Sequence, residues 1–166
     1  MLTLISGTDR ANGNTRKLAH YCETLLQQKK LEYRFLDLSD DIPWSNPAQL
    51  NELIETHLHS AKKMWILLPE YNGSYPGILK LLVDRSEVKK AWRHKKMALV
   101  GVSTGRAGNL RGLDHFTGSL MHMQAFVHPN RLPISKIDTL LDQNGMLIDP
   151  STAGLLESQL NDLIQF

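Results

Sequence analysis

Residues 63–76 read Lys63-Met-Trp-Ile-Leu-Leu-Pro-Glu-Tyr-Asn-Gly-Ser-Tyr-Pro76, an apolar run that leads into a polar loop with one glycine. The run Lys63–Leu68 is short and is followed by a proline, so it predicts a buried strand that ends at Pro69. Pro76 predicts the start of a helix, because the first N–H groups of a helix have no partner within it and proline lacks that group. The segment therefore predicts a strand, a loop and a helix in succession.

The same succession occurs on both sides of this segment. Upstream, the strand Leu2–Ser6 precedes the loop Gly7–Asn14 and a helix from Thr15 to Lys30. Downstream, the strand Met97–Val102 precedes a third polar loop and a helix over Ala107–Met123. The other predicted elements are strands at Glu32–Leu38 and Ala125–His128 and helices at Ala48–Ser60 and Pro150–Phe166, the last with Ser151 as its N-cap. Five alternations of strand and helix predict a doubly wound α/β domain, with a parallel sheet covered on both faces.

Length and charge exclude several classes of protein. The chain has 166 residues, which predicts one domain over 1–166 and leaves no room for the second lobe of a two-domain dehydrogenase. Its 19 basic and 17 acidic residues give a net charge of +2, too small to predict nucleic acid as a partner. The start Met1–Ile5 predicts a strand rather than a signal peptide, and no apolar run is long enough to cross a membrane. We therefore expect a cytoplasmic domain without membrane contact.

Cysteine and histidine usage predicts neither a disulfide nor a metal site. Cys22 is the only cysteine, and it falls in the apolar stripe of the first helix with Leu18 and Leu25, which predicts a packed core thiol. His115 and His122 share a helix face, but no carboxylate spacing completes a metal site near them. The helix that carries them is apolar around much of its girth, which favours a role in the core and in a subunit contact.

The first loop has the composition of an anion site. It follows a strand and opens a helix, whose free N–H groups and positive dipole end favour negative charge. Arg10 supplies a planar fork suited to phosphate, and the short polar side chains are Thr8, Asn12, Asn14 and Thr15. The pattern is neither a P-loop nor a Gly-x-Gly-x-x-Gly fingerprint, so a phosphomonoester is favoured over a triphosphate or a dinucleotide. An ordinary helix start with surface polar residues remains the alternative at this point.

The second and third loops extend this pattern at the same edge of the predicted sheet. Loop Pro69–Pro76 combines two tyrosines, an amide and a glycine, which suits a flat heteroaromatic ring but also an ordinary polar turn. Loop Ser103–Leu110 adds two glycines that let the backbone approach a ligand closely. In open α/β sheets ligands bind beyond the carboxyl ends of the strands, which is where all three loops are predicted to lie.

These residues resemble the NADPH-dependent FMN reductases, a family of flavodoxin-like flavin, quinone, azo and chromate reductases. The resemblance is carried by Pro69–Lys80 with Asp84, by Gly7–Arg10 with the cluster Asn12–Thr15, and by Val102–Arg111. It extends from residue 1 to about residue 135. It implies a flavodoxin-like three-layer sandwich with a five-stranded parallel sheet in the order 2-1-3-4-5 and helices on both faces.

The resemblance also implies which residues bind the cofactor. The FMN phosphate would be held by Thr8, Arg10, Asn12, Asn14 and Thr15. The isoalloxazine ring would be bordered by Pro69, Glu70, Tyr71, Asn72 and Gly73, and its far edge by Ser103, Thr104 and Gly105. Two positions depart from the family pattern: Gly13 replaces a frequent serine, and Arg85 replaces a frequent tryptophan near a subunit contact. The family usually forms dimers, so a homodimer or homotetramer is expected.

The implied function is an FMN-dependent oxidoreductase that takes hydride from NADPH or NADH and passes electrons to a flavin, quinone, azo or similar small-molecule acceptor. The flavin carries the chemistry, so no catalytic side chain is required. Arg106 and Arg111 are candidates for the 2′-phosphate of NADPH, from their location and charge. The alternatives are a non-enzymatic flavodoxin-like electron carrier, which the charge of +2 disfavours, and a flavin-binding sensor.

Overall fold

A computed structural model describes the whole chain, Met1–Phe166. The strands are β1 (Leu2–Ser6), β2 (Tyr33–Asp37), β3 (Lys63–Pro69), β4 (Lys96–Val102), β5 (Phe126–Val127) and β6 (Leu132–Ile134). The helices are α1 (Asn14–Gln28), α2 (Pro47–Ile54), α3 (Gly77–Arg85), α4 (Val88–Ala91), α5 (Leu110–His122), α6 (Ile137–Leu140) and α7 (Pro150–Gln165). Helix α2 continues into a π-helical turn, Glu55–His59.

The sheet is parallel and runs in the order β2-β1-β3-β4-β5, as predicted. Residues alternate between its two faces, so Trp65 and Leu67 of β3 lie in one core and Ile66 and Leu68 in the other. Helices α1 and α7 cover the first face, whereas α2, α3 and α5 cover the second. Cys22 of α1 is fully buried in the core of the first face, as predicted, and burial raises the pKa of its thiol. No helix combines the length and apolarity needed to span a membrane.

The predicted fifth strand is divided into two pieces. Strand β5 pairs with the start of β4, and β6 pairs with Val100–Val102 after the excursion 128–131. A buried glutamine of α7 fixes this excursion: Gln159 Nε2 donates to the carbonyls of Asn130 at 2.7 Å and Leu99 at 3.0 Å. Its Oε1 accepts from Trp65 Nε1 at 2.7 Å. The prediction of one strand at Ala125–His128 therefore found β5 and missed β6.

Two predicted helix starts are wrong. Helix α5 begins at Leu110 and not at Ala107, because Gly108 and Asn109 take left-handed φ angles of 57° and 63° that no α-helix continues through. The N-cap of α7 is Asp149 and not Ser151, since the Asp149 carboxylate accepts from the N–H of Thr152 at 2.7 Å. This hydrogen bond lowers the pKa of the Asp149 carboxyl group.

A buried lysine lies at the amino end of β4, opposite the polar loops. Lys95 Nζ donates to the carbonyls of Leu58 and, at 2.9 Å, His59, which are the last turn of the π-helical segment. Burial lowers the pKa of Lys95 to about 8. An unfolded lysine keeps its proton to about pH 10.4, so between these values the unfolded chain binds more protons than the folded one. Stability attributable to this group therefore rises with pH across that window.

We expect the free energy of unfolding to rise by on the order of 2 kcal/mol between about pH 8 and pH 10 in the wild type, relative to Lys95→Met. Denaturant titrations of both proteins at each pH measure this difference, because groups common to both cancel. Parallel pH profiles for the two proteins would contradict the prediction.

Candidate functional site

Three loops meet at the carboxyl edge of the sheet. The register pairs Ser6 with Leu67 and Pro69 with Val102, so the first loop (Gly7–Gly13), the second loop (Glu70–Pro76) and the third loop (Ser103–Asn109) emerge side by side. They enclose a cavity of about 140 Å³. Its lining residues are Thr8, Arg10, Gly13, Asn14, Thr15, Pro69, Glu70, Tyr71, Val102, Ser103, Thr104 and Ile137.

The first loop presents hydrogen-bond donors to this cavity. The N-cap of α1 is Gly13, which has no side chain to cap the helix, so the first-turn N–H groups remain free. Thr8 and Thr15 are only 1% and 3% exposed, yet both residues line the cavity. The loop is closed internally, because Gly13 N donates to the Arg10 carbonyl at 2.9 Å. The arrangement fits a dianionic phosphate group.

An arginine that the sequence analysis missed supports the first loop from outside. Arg16 Nη1 donates to the Ala11 carbonyl at 3.1 Å, and Nε donates to the Asp37 carboxylate at 2.6 Å. A second ion pair joins Arg16 Nη2 to Asp40 at 3.1 Å. The Asp37 carboxylate also accepts from the N–H and hydroxyl of Ser39. The available signal was the acidic end of β2, which lies next to β1 in the predicted strand order.

The second loop contains a tight turn. Tyr71 and Ser74 exchange two backbone hydrogen bonds, at 2.9 Å and 3.1 Å, around Asn72 and Gly73. Both central residues have left-handed φ angles, 52° and 77°, which is the geometry that Asn-Gly favours. The turn rests on α5, where His115 Nδ1 lies 2.9 Å from Ser74 Oγ. Arg111 lies so close that a Cβ added at Gly73 would be 2.8 Å from its guanidinium.

The third loop is tied to its neighbours on both sides. Ser103 N donates to the Ile134 carbonyl, and the Ser103 carbonyl accepts from Ile137 N, which holds the loop against β6 and α6. At its end, fully buried Asn109 caps α5 by accepting from Gly112 N at 3.1 Å. Its amide also donates to the Leu68 carbonyl at 3.0 Å. Asn109 thus fixes the third loop to β3, the strand that precedes the second loop.

The side chain of Tyr71 crosses from the second loop to the first. Its hydroxyl lies 2.7 Å from Thr8 Oγ1, and the Arg10 guanidinium lies over its ring, 4.3 Å from the ring centroid. Burial and the nearby Asp9 carboxylate raise the pKa of the Tyr71 phenol, although Thr8 and Arg10 act in the opposite direction. The phenol therefore keeps its proton at neutral pH.

The structure brings most of the predicted cofactor residues to one cavity, but not all of them. Asn12, Asn72, Gly73 and Gly105 do not line it. Asn72 and Gly73 form the turn just outside, and Gly105 is exposed in the third loop. Arg106 is also exposed there, while Arg111 covers Gly73 from the first turn of α5. The lining residues that the sequence analysis did not include are Gly13, Val102 and Ile137.

With this geometry in place, residues 1–139 match the family described as NADPH-dependent FMN reductase. The chain belongs to this family. This membership confirms the predicted family, and it favours an oxidoreductase that uses FMN and NAD(P)H over an electron carrier.

Individual relatives agree with the family. The chain is 30% identical over 117 residues to an NAD(P)H-dependent FMN reductase of Pseudomonas aeruginosa, a match that covers 68% of this chain and 62% of that protein. It is 23% identical over 167 residues to a 2-hydroxy-1,4-benzoquinone reductase of Burkholderia sp, covering 95% of this chain and 90% of the relative. It is 29% identical over 154 residues to an NADPH azoreductase of Bacillus sp., covering 88% and 81%.

Solved structures confirm the predicted flavodoxin-like fold. The NAD(P)H:(acceptor) oxidoreductase FerB of Paracoccus denitrificans superposes with a TM-score of 0.75 at 22% identity, covering 99% of this chain and 94% of the other. An archaeal flavodoxin superposes with a TM-score of 0.62 at 12% identity, covering 99% and 97%. At these identities the likeness concerns the fold alone.

Proposed function

We propose that this chain, as a single domain over 1–166, binds FMN at the three loops and acts as an NAD(P)H-dependent reductase of a small-molecule acceptor. The observation that carries the proposal is the uncapped amino end of α1, which opens into the same cavity as Thr8, Arg10 and Thr15. When bound, FMN supplies the hydride acceptor for the nicotinamide and the electron donor for the second substrate. The reductases among its relatives support this class of reaction.

The residues present fit FMN at the phosphate end. Helix N–H groups, two nearly buried hydroxyl groups and one guanidinium are all donors, and Arg10 carries the positive charge that a phosphate requires. A ligand without a phosphate would leave these donors to water. The absence of Lys in a Gly-rich loop agrees with a monophosphate rather than a triphosphate.

The residues present also fit a flat ring at the opposite end of the cavity. Pro69 and Val102 supply apolar surface, and the free N–H groups of the second and third loops can donate to the ring's polar edge. The N–H groups of Asn72, Gly73, Thr104 and Gly105 donate to no other protein group. These free N–H groups would let Asn72, Gly73 and Gly105 take part in binding, although none of the three residues lines the cavity itself.

Assembly and location complete the proposal. The exposed Met121 of α5, 65% accessible, supports the expectation of a homodimer or homotetramer that uses this helix. The proposed location is the cytoplasm.

Steady-state kinetics test the reaction. With FMN present, the purified protein should oxidise NADPH or NADH continuously when a benzoquinone or an azo dye is added. An electron carrier or a sensor would bind FMN and show no turnover with either nicotinamide, and that result would contradict the proposed reductase.

Arg106 is the better candidate of the two arginines for the 2′-phosphate of NADPH, because Arg111 is already packed on Gly73. We expect Arg106→Ala to reduce the ratio of kcat/KM for NADPH to that for NADH about tenfold, the effect of one lost charge-assisted hydrogen bond. Arg93→Ala is the matched control, because Arg93 is an exposed arginine at the opposite edge of the sheet. An unchanged ratio in Arg106→Ala would remove Arg106 from the nicotinamide site.

A further inference from the structure

The hydrogen bonds of Thr8 Oγ1 indicate how Tyr71 acts on the first loop. Thr8 Oγ1 accepts from the Arg10 N–H at 3.1 Å and pairs with the Tyr71 hydroxyl at 2.7 Å. A hydroxyl oxygen has two lone pairs and one proton. When Tyr71 donates, both acceptor sites of Thr8 are filled by protein donors. The hydroxyl group of Thr8 then has only its proton left for a further hydrogen bond, and Thr8 lines the cavity.

An anion in the cavity favours this arrangement over its reverse. If Thr8 donated to Tyr71 instead, the first loop would lose a donor next to the uncapped end of α1. With a phosphate present, Tyr71 donates to Thr8 and Thr8 donates to a phosphate oxygen. Consecutive hydrogen bonds that point in the same direction strengthen one another. The first proton in this series is that of the Tyr71 hydroxyl, whose acceptor Thr8 Oγ1 lies 2.7 Å away.

The Tyr71 ring orients a second donor. Arg10 is exposed and makes no side-chain hydrogen bond or ion pair with another residue. The contact that holds its guanidinium beside the cavity is the face of the Tyr71 ring, at 4.3 Å. Because the ring already restrains the Arg10 side chain, less conformational entropy is lost when the guanidinium binds a phosphate.

We propose that Tyr71 is a positioning residue for the FMN phosphate, acting through Thr8 with its hydroxyl and through Arg10 with its ring, and that it thereby sets the preference for FMN over riboflavin. This proposal rests on the proposed function, and it differs from the expectation that Tyr71 borders the isoalloxazine ring. A ring contact would affect FMN and riboflavin alike, whereas phosphate positioning affects FMN alone.

The test compares dissociation constants of FMN and riboflavin, measured by quenching of flavin fluorescence. Tyr71→Phe keeps the ring and removes the hydroxyl, so FMN binding should weaken about fivefold. Tyr71→Leu also removes the cation–π contact, so the loss should reach about twentyfold. Riboflavin binding should change less than about twofold in both, since a group that meets only the phosphate contributes nothing to riboflavin. The matched control is Tyr75→Phe, which removes a hydroxyl from the same loop on the α5 side, 3.3 Å from Ser119 Oγ.

The outcomes separate the two proposals. If Tyr71→Phe weakens the binding of FMN and riboflavin equally, or weakens neither, Tyr71 does not position the phosphate. The proposed function still stands in that case, provided that the wild-type protein binds FMN. A wild-type protein that binds neither flavin overturns both. Loss of FMN binding in Tyr75→Phe equal to that in Tyr71→Phe would also overturn the role, because the effect would then belong to the loop as a whole.

Discussion

Replacing Arg10 with alanine should raise the dissociation constant for FMN about thirtyfold and leave that for riboflavin within about twofold. Arg10 is the one cationic side chain that lines the cavity, and it lies beside the free N–H groups of α1. Without the Arg10 guanidinium, the phosphate would accept hydrogen bonds only from neutral donors, and each of these bonds is weaker than a charge-assisted one. Fluorescence titration with each flavin measures both constants.

Two variants control the Arg10 result. Arg10→Lys keeps the charge without the planar fork, so FMN binding should fall between those of the wild type and Arg10→Ala. Arg93→Ala removes one positive charge from the opposite edge of the sheet, and it should leave both flavins unaffected. Equal weakening of FMN and riboflavin in Arg10→Ala would place the guanidinium at the ring and contradict the assignment of the first loop to the phosphate.

Replacing Asn109 with alanine should lower the free energy of unfolding by about 3 kcal/mol and the melting temperature by roughly 10 °C. The change removes two buried hydrogen bonds, one to the Leu68 carbonyl and one from the Gly112 N–H. It also places alanine at a φ angle of 63°, which asparagine tolerates better. FMN binding should weaken as well, because the third loop loses its tie to β3. Thermal unfolding followed by circular dichroism measures the first effect.

Asn109→Gly separates the two causes. Glycine adopts the left-handed conformation freely but cannot make either hydrogen bond, so this variant should be about 1 kcal/mol more stable than Asn109→Ala and still well below the wild type. A melting temperature for Asn109→Ala within about 2 °C of the wild type would contradict the structural role of this residue.

The parallel sheet with helices on both faces could be predicted because it follows from local patterns, whereas the order of its strands was implied by the family resemblance. The run from Met64 to Leu68 is apolar at every position, which a strand buried on both faces requires. The start of α5 and the split between β5 and β6 depend instead on distant partners. Asn109 reaches Leu68, and Gln159 reaches Asn130 from the other end of the chain. No periodicity in the local sequence reports such contacts.

The candidate site was predictable to a similar degree. The loops that form it could be located, because parallel strands bring their carboxyl ends to one edge. The direction of individual side chains could not be predicted. Tyr71 turns toward Thr8 rather than outward, and Arg16 faces Asp37 and the Ala11 carbonyl. Asn72 and Gly73 resemble ligand residues in sequence, yet their left-handed φ angles are needed for the turn itself.

The visible spectrum of the purified protein after incubation with FMN and gel filtration tests the central claim most directly. The three-loop site predicts that the flavin absorption bands elute with the protein, in an amount that Arg10→Ala reduces. A colourless wild-type protein, unchanged by added FMN, would contradict the assignment of these loops to a flavin.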